Sequence, residues 1–329
     1  MTRATVFGAG VAGLCVATEL VARGWDVTVC DPAPRPGPHG CSWWAGGMLA
    51  PLCEGETAEE PVVRLGHEAA DWWQRQGVHV ARRGTVVLAL ARDRRELDRY
   101  ARRTTGHEAL DAEALGALEP DLAGSFSRAL HFRTEAHLDP RSALTHLRDR
   151  LEGAGVTFVA ERGQTAGQSN GLTFDCRGLA ARDVLPDLRG VKGEMVVLRT
   201  DEITLTRPIR LLHPRFPLYV VPRGDGVFML GATQIESDDR KPRVRSVLEL
   251  LSAAYALHPA FGDAEVVEIG VDARPAFPDN LPRLRKHGET MYVNGLFRHG
   301  FLLAPALARM AVEAACDGSK PELFDEDHS

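Results

Sequence analysis

The fold is decided by one short stretch near the N-terminus, Val6-Phe7-Gly8-Ala9-Gly10-Val11-Ala12-Gly13. A strand that enters a G-x-G-x-x-G turn and continues as a helix is typical of proteins that bind the pyrophosphate of a dinucleotide. Gly8 permits the tight turn, Gly10 lets the backbone approach a phosphate, and Gly13 lets the helix pack closely on the sheet. The motif therefore predicts a dinucleotide ligand, and by itself it leaves NAD and FAD open.

The residues after this turn complete a β-α-β unit. Apolar residues at helical spacing predict a helix over 11–22, which ends at Arg23-Gly24 because glycine adopts the left-handed cap conformation. A second strand is predicted over Asp26–Cys30. Asp31 follows it, about 20 residues after the turn, where a carboxylate accepts hydrogen bonds from ribose hydroxyls.

The other end of the chain carries a second strand–turn–helix signal, in residues 294–305 (Asn-Gly-Leu-Phe-Arg-His-Gly-Phe-Leu-Leu-Ala-Pro). It predicts a strand, a glycine turn and a closing helix from near Phe301 to about Cys316. A simple NAD-binding fold has no place for this segment. The two ends together favour FAD, with the adenine half near the N-terminus and the flavin ring near the C-terminal segment.

Length and composition are those of an ordinary globular enzyme. The chain has 329 residues, enough for one large domain or two closely packed ones, with 44% hydrophobic and 26% charged residues. A net charge of −6 gives no reason to expect nucleic acid or a membrane surface as a partner. The six cysteines show no C-x-x-C spacing, which predicts reduced thiols and a cytoplasmic protein. His137 and Asp139 have no third ligand nearby, so no metal site is predicted.

Residues 193–267 differ from the rest of the chain because short β-prone runs follow one another there. Strands are predicted at 195–198, 209–212, 218–221 and 228–230, with a helix over about 245–256. The predicted fold class is α/β: an FAD-binding Rossmann-like domain of the glutathione-reductase type with an inserted antiparallel β-sheet substrate domain. The predicted FAD-binding domain comprises residues 1–75, 135–195 and 268–329, and the predicted substrate-binding domain comprises residues 76–134 and 196–267.

Three polar residues in the second half point to a carboxylate ligand. Tyr219 lies in an otherwise apolar strand, Arg274 lies where a buried arginine needs an anion, and Arg298 lies at the C-terminal glycine turn. A guanidinium presents a fork of donors that matches a carboxylate, and a phenol adds one more donor. Taken singly, each arginine also fits an ordinary salt bridge and the tyrosine a half-buried core position, and the residues alone leave this alternative open.

Several stretches spread along the chain carry a family resemblance. They are residues 8–13 with Asp31, 42–51 (with Ala-Gly-Gly-Met-Leu at its centre), 191–194 (Val-Lys-Gly-Glu), 219–223, 231–233, 274–275 and 295–305. On these stretches the chain resembles the D-amino-acid oxidase-like group of FAD-dependent amine oxidases, and most closely the glycine oxidases of bacterial thiamine synthesis. The first motif is generic and the last is specific. The chain departs from that pattern at residues 234–237.

The resemblance implies the oxidation of glycine by O2 to the imine dehydroglycine, with release of hydrogen peroxide. It further implies that a thiazole synthase consumes the imine and that the protein is a homo-oligomer. Arg274 corresponds to the arginine that binds the substrate carboxylate, Tyr219 to the active-site tyrosine and Arg298 to a second arginine beside the flavin. The FAD is expected to be non-covalent, since no cysteine lies between Cys176 and Cys316. The expected FAD contacts are Gly8, Gly10, Val11, Ala12, Gly13, Asp31, Ser42, Gly46, Gly47, Met48, Leu296, Arg298, His299, Gly300, Phe301 and Leu302.

The sequence leaves rival functions open. A sister flavoenzyme would act on sarcosine, proline or a D-amino acid, because the volume of the substrate site depends on packing. A dehydrogenase would pass electrons to a quinone or another protein, and would release no peroxide. A FAD-bearing assembly factor would modify a partner protein and be inactive towards free glycine. An NAD-dependent dehydrogenase leaves the C-terminal motif unexplained.

Overall fold

The computed structural model describes residues 2–160, 171–213 and 217–325. Its strands are β1 Arg3–Phe7, β2 Asp26–Cys30, β3 Met48–Leu49, β4 Thr85–Ala89, β5 Glu108–Asp111, β6 Arg128–Phe132, β7 Ala136–His137, β8 Thr157–Val159, β9 Leu172–Asp175, β10 Arg189–Arg199, β11 Ile209–Leu212, β12 Leu218–Gly224, β13 Val227–Gly231, β14 Ile235–Glu236, β15 Glu265–Ala276, β16 Arg283–His287, β17 Thr290–Asn294 and β18 Phe324–Asp325. Its α-helices are α1 Val11–Ala22, α2 Pro51–Glu54, α3 Glu60–Gly66, α4 Ala69–Arg75, α5 Arg94–Arg103, α6 Ala112–Leu118, α7 Pro140–Gly153, α8 Val244–Leu257 and α9 Gly300–Asp317.

The first sheet is of the nucleotide-binding kind that the sequence predicts. Its strand order is β18-β16-β17-β9-β1-β2-β8, and the run from β17 to β8 is parallel. Val6 in β1 and Val29 in β2 are completely buried, as expected for parallel strands that are covered on both faces. Helix α1 packs on α7 and α9. The Rossmann-like prediction is confirmed.

The closing helix α9 is almost apolar all round, which is typical of a helix that runs through the core. The indole nitrogen of Trp73 donates to the carbonyl oxygen of Phe301 at 2.9 Å, and the two rings stack with centroids 5.4 Å apart. Gly318 has a φ of +70° and ends the helix in the left-handed conformation. These contacts fix the start and the end of α9 close to the predicted residues.

The second sheet has nine strands. Eight of them follow the order β14-β10-β13-β12-β11-β4-β6-β5, and the ninth, β15, also pairs with β10. The prediction of an antiparallel sheet needs one correction, because β4 and β11 are parallel, with Val86 beside Ile209. The remaining pairs between its described strands are antiparallel. The two parallel strands come from distant segments of the chain, so no hairpin turn sets their relative direction.

Strands β10 and β15 pair along their whole length and link the second sheet to the first. Near the end of β15, the carbonyl oxygen of Pro275 accepts a hydrogen bond from Phe297 N at 2.9 Å, in the turn after β17. The predicted domain boundaries at 195/196 and 267/268 fall inside these two strands. The division into two domains stays a prediction.

His137 and Asp139 are the pair weighed as metal ligands. Burial lowers the pKa of His137 to about 4, so its ring is neutral at neutral pH. Asp139 caps α7 by accepting a hydrogen bond from Arg141 N at 2.9 Å. Within the described residues, no three His, Cys, Asp or Glu side chains come together as a metal site. None of the helices in that part of the chain has the length and apolar character needed to cross a membrane.

Replacing Gly13 with alanine should destabilise the fold. A Cβ at this position in α1 would lie 1.8 Å from the carbonyl oxygen of Gly8, so backbone has to move. We expect the free energy of unfolding to fall on the order of 2 kcal/mol, as in other overpacked cores, in urea unfolding followed by circular dichroism. Gly153→Ala is the matched control, because a Cβ there meets no atom within 4 Å in α7. Equal stability of the two variants would contradict the close packing of α1 on the turn.

Candidate active site

One deep cavity of about 750 Å³ is lined by residues of both sheets. Its volume lies in the range of cavities that enclose cofactors and drug-sized ligands. It extends from the glycine turn after β1 to the face of the second sheet that carries Tyr219 and Arg274. The cavity therefore connects the dinucleotide-binding turn with the residues expected to bind the substrate.

The glycine turn has the tight geometry that the motif predicts. Gly8 has a φ of +94°, and a Cβ there would lie 2.6 Å from neighbouring backbone. Asp31 accepts a hydrogen bond from Ala9 N at 2.7 Å, which holds its carboxylate beside the turn. Ser42 Oγ accepts another from Val11 N at 3.1 Å. Residues far apart in the sequence thus meet at the start of α1, where free amides and the helix dipole favour a phosphate.

A buried arginine holds the loop that contains Gly46 and Gly47. The guanidinium of Arg223 donates to three carbonyl oxygens, at 2.7, 3.2 and 2.9 Å, those of Leu138, Ala45 and Gly46. Burial lowers the pKa of Arg223 to about 10, so the guanidinium stays charged at neutral pH. Gly47 has a φ of +72°, and a Cβ there would lie 2.2 Å from the carbonyl oxygen of Leu138. The loop therefore presents bare backbone to the cavity in a position that Arg223 fixes.

Tyr219 lies against two glycines. In the register of the sheet it stands opposite Arg210 of β11 and Gly231 of β13. A Cβ would lie 2.4 Å from the phenol oxygen if placed at Gly231 and 2.9 Å from the ring if placed at Gly46. Burial raises the pKa of Tyr219, so the phenol stays protonated and is available as a donor.

Arg274 is a partly buried cation that has no acidic partner among the described residues. Its guanidinium lies over Gly193, where a Cβ would be 2.0 Å from Nη2, and Nη1 donates to the carbonyl oxygen of Thr233 at 3.3 Å. Burial lowers the pKa of Arg274, and no acidic residue of the described segments offsets that effect. A buried charge is costly unless it is paired. The arrangement favours an anion bound from the cavity.

Arg298, by contrast, pairs with a buried acid, Glu54. Arg298 Nη2 lies 2.9 Å from Glu54 Oε2 and donates to Thr57 Oγ1 at 2.6 Å. Arg210 binds Glu54 Oε1 at 2.5 Å, and His299 Nε2 lies 3.0 Å from Oε2. Although burial opposes ionisation, the charges of Arg298 and Arg210 hold the pKa of Glu54 well below its usual range. We call Glu54, Arg210, Arg298 and His299 the Glu54 cluster.

Nearly all the site residues predicted from the sequence line this one cavity. Gly13 does not line it, since it packs against the turn itself. The predicted residues that do are Gly8, Gly10, Val11, Ala12, Asp31, Ser42, Gly46, Gly47, Met48, Tyr219, Arg274, Leu296, Arg298, His299, Gly300, Phe301 and Leu302. Their roles in binding cofactor and substrate stay predictions.

Glu54, Arg210 and Arg223 are among the charged residues of the site that were not predicted from the sequence. Arg210 interrupts the apolar strand β11, and Glu54 follows the apolar start of α2. The available signal was a polar or charged residue inside an apolar run. The same kind of signal singled out Tyr219.

Comparison with known proteins assigns this chain to a family. The model of the DAO family, described as FAD dependent oxidoreductase, matches residues 3–314. The chain is 56% identical over 308 residues to a Rhizobium etli protein that carries the name thiamine biosynthesis oxidoreductase ThiO, covering 93% of this chain and 94% of that protein. It is 28% identical over 346 residues to the glycine oxidase of Pseudomonas putida, covering 93% and 92%. It is 25% identical over 362 residues to the bifunctional protein ThiO/ThiG of Trichormus variabilis, covering 100% and 55%.

The solved structures agree on the fold. Glycine oxidase from Bacillus cereus ATCC 14579 matches with a TM-score of 0.82 at 21% identity, covering 98% of this chain and 99% of that one. The family model spans almost the whole chain, including both glycine turns and the second sheet between them. The chain therefore belongs to the DAO family of FAD-dependent oxidoreductases.

Proposed function

We propose that this chain is a glycine oxidase that supplies the thiazole branch of thiamine biosynthesis. The observation that carries the proposal is Arg274, a partly buried guanidinium that faces no acidic partner among the described residues and lies in the same cavity as Tyr219 and the glycine turn. The relatives named as ThiO and glycine oxidase support glycine as the amino acid.

The cavity residues fit FAD. The glycine turn offers amides beside a held carboxylate, and the Gly46–Gly47 loop offers bare backbone that a side chain would fill. In the proposed enzyme the amides at the start of α1 hold the pyrophosphate and Asp31 holds the ribose. The Gly46–Met48 loop and residues 296–302 hold the flavin. Bound FAD supplies a two-electron oxidation with O2 as the final acceptor.

The substrate is oriented by its carboxylate. Arg274 binds it through a fork of two donors, and the protonated phenol of Tyr219 adds a third. A carboxylate fixed in this way positions the α-carbon for reaction. The α-carbon loses a hydride and the nitrogen loses a proton, so that glycine and O2 become dehydroglycine and hydrogen peroxide.

The chain's own acids take no proton in this scheme. Glu54 stays ionised because Arg298 and Arg210 lower its pKa despite burial, and burial lowers the pKa of His299. A carboxylate with so low a pKa is a poor general base near neutral pH. Glycine is therefore proposed to bind with a neutral amine, having lost its proton to solvent.

The imine is unstable in water, so another enzyme has to use it before it hydrolyses. A relative in which ThiO and ThiG are one bifunctional chain supports a hand-over of dehydroglycine to a thiazole synthase. We further infer that the protein works in the cytoplasm, as its cysteine pattern indicates, and that it is a homo-oligomer, as the family resemblance implies.

Replacing Arg274 with alanine should abolish tight substrate binding and leave the flavin in place. We expect KM for glycine to rise about 100-fold or more, because loss of one partner of a buried charge pair costs about 2–5 kcal/mol. Oxygen consumption gives KM, and the visible spectrum reports bound FAD. Arg128→Ala is the control, since Arg128 is exposed and pairs with Asp98 at 3.0 Å. An unchanged KM in the Arg274 variant would refute its role.

Replacing Arg223 with lysine should weaken FAD binding. The charge is kept, but one ammonium does not reach three carbonyl oxygens as the guanidinium does. We expect the Kd for FAD to rise about tenfold, measured by fluorescence titration of the apoprotein. Arg128→Lys should bind FAD like the unmodified protein. Equal Kd values for both variants would show that Arg223 does not position the loop.

A further inference from the structure

The carboxylate of Glu54 and the guanidinium of Arg210 have no role in the proposed reaction, although both line the same cavity as Arg274. We propose that Glu54 is a specificity-determining residue that restricts the site to amino acids with one carboxylate and disfavours dicarboxylates. The inference rests on the proposed function, because it takes Arg274 as the group that binds the substrate carboxylate.

The Glu54 cluster and Arg274 both act on Tyr219. Arg210 stands directly opposite Tyr219 in the β11–β12 pair, where side chains on one face lie about 5 Å apart at Cβ. The charges of Arg274, Arg210 and Glu54 all influence the phenol. A substrate held by Arg274 and Tyr219 therefore lies close to Glu54.

Glu54 pairs with two of the other arginines that line the cavity, Arg210 and Arg298. The remaining two pair with aspartates, Arg177 with Asp175 at 2.6 Å and Arg240 with Asp272 at 2.8 Å. Glu54 Oε1 is bound by Arg210 at 2.5 Å, and its Oε2 by Arg298 at 2.9 Å. His299 lies 3.0 Å from Oε2 and carries no charge of its own at neutral pH, because burial lowers its pKa. Arg274 is thus left as the guanidinium available to a carboxylate.

Glu54 is held rigidly in this position. The residue before it, Cys53, has both backbone groups bound by buried side chains. Glu135 Oε1 accepts from Cys53 N at 2.7 Å, and the phenol of Tyr100 donates to the carbonyl oxygen of Cys53 at 2.8 Å. Glu135 is 1% and Tyr100 5% exposed. These bonds fix the backbone next to Glu54, and Arg210 and Arg298 bind both oxygens of its carboxylate.

A second carboxylate on the substrate would have to compete with Glu54 for Arg210 and Arg298, and it would lie beside the negative charge of Glu54. Juxtaposed like charges disfavour binding, and such repulsion is a common source of specificity. With glutamine at position 54, two guanidiniums would share a neutral amide and would bind a second carboxylate. Removing the charge of Glu54 should therefore raise activity towards dicarboxylates.

The test compares two secondary amines that share a glycine unit, N-methylglycine and iminodiacetate, of which the second carries an additional carboxylate. The kcat/KM of each is measured by oxygen consumption with unmodified holoenzyme and with Glu54→Gln. We expect the kcat/KM for iminodiacetate, divided by that for N-methylglycine, to rise about tenfold or more in the variant. An unchanged or lower ratio in a variant that retains FAD and its melting temperature would overturn the inference.

Glu60→Gln is the matched control, because Glu60 is an exposed acid that pairs with Arg64 on α3. Its ratio should equal that of the unmodified enzyme, and an equal rise in both variants would also refute a specific role for Glu54. Glycine is measured in the same assay. Failure of the unmodified enzyme to oxidise glycine counts against the proposed function, and an unchanged ratio with glycine turnover intact counts against Glu54 alone.

A second measurement covers the case in which Glu54→Gln does not fold. Acetate and malonate are tested as competitive inhibitors of the unmodified enzyme. The inference predicts that malonate binds about tenfold more weakly than acetate, because its second carboxylate faces Glu54. Equal or tighter binding of malonate would overturn it.

Discussion

The cavity depends on bare backbone at the points where functional side chains cross neighbouring strands. The guanidinium of Arg274 occupies the space over Gly193, and the ring of Tyr219 occupies the space over Gly231. A side chain at either glycine would collide with the group that lies there. Gly193 and Arg274 belong to the paired strands β10 and β15, and β15 also bonds to the C-terminal turn. In the proposed function, the packing of this pair sets where a substrate carboxylate would bind relative to the cofactor.

The second constraint is electrostatic. Arg210, Arg274 and Arg298 line one cavity, and buried cations destabilise a fold unless they are paired. Glu54 pairs with Arg210 and Arg298, while Arg274 keeps only a carbonyl partner at 3.3 Å among its described contacts. Because one acid pairs with two of the three arginines, the third is the one that is available to bind an anion. The same acid is thus part of the stability of the site and of its selectivity.

The features that the sequence predicted correctly are those that residues close together in the chain determine. The first glycine turn, the end of α1 and the start of α9 follow from residues adjacent in the chain. Arg274 lies in the cavity, and its role as the arginine that binds an anion stays a prediction. The parallel pairing of β4 with β11 did not follow, because the two strands meet only in the folded sheet. Nor did the engagement of Arg298 by Glu54, which lies 244 residues earlier in the chain and joins it only through packing of α2 against the C-terminal turn.

The central claim is that Arg274 and Tyr219 present glycine to FAD in one continuous cavity. The most direct test is the absorbance spectrum of the purified protein, recorded before and after anaerobic addition of glycine. The account predicts flavin bands that bleach with glycine and return with stoichiometric hydrogen peroxide when air is admitted. Flavin bands that stay oxidised with glycine would contradict the proposed substrate, and a protein that binds no FAD even after reconstitution would contradict the account as a whole.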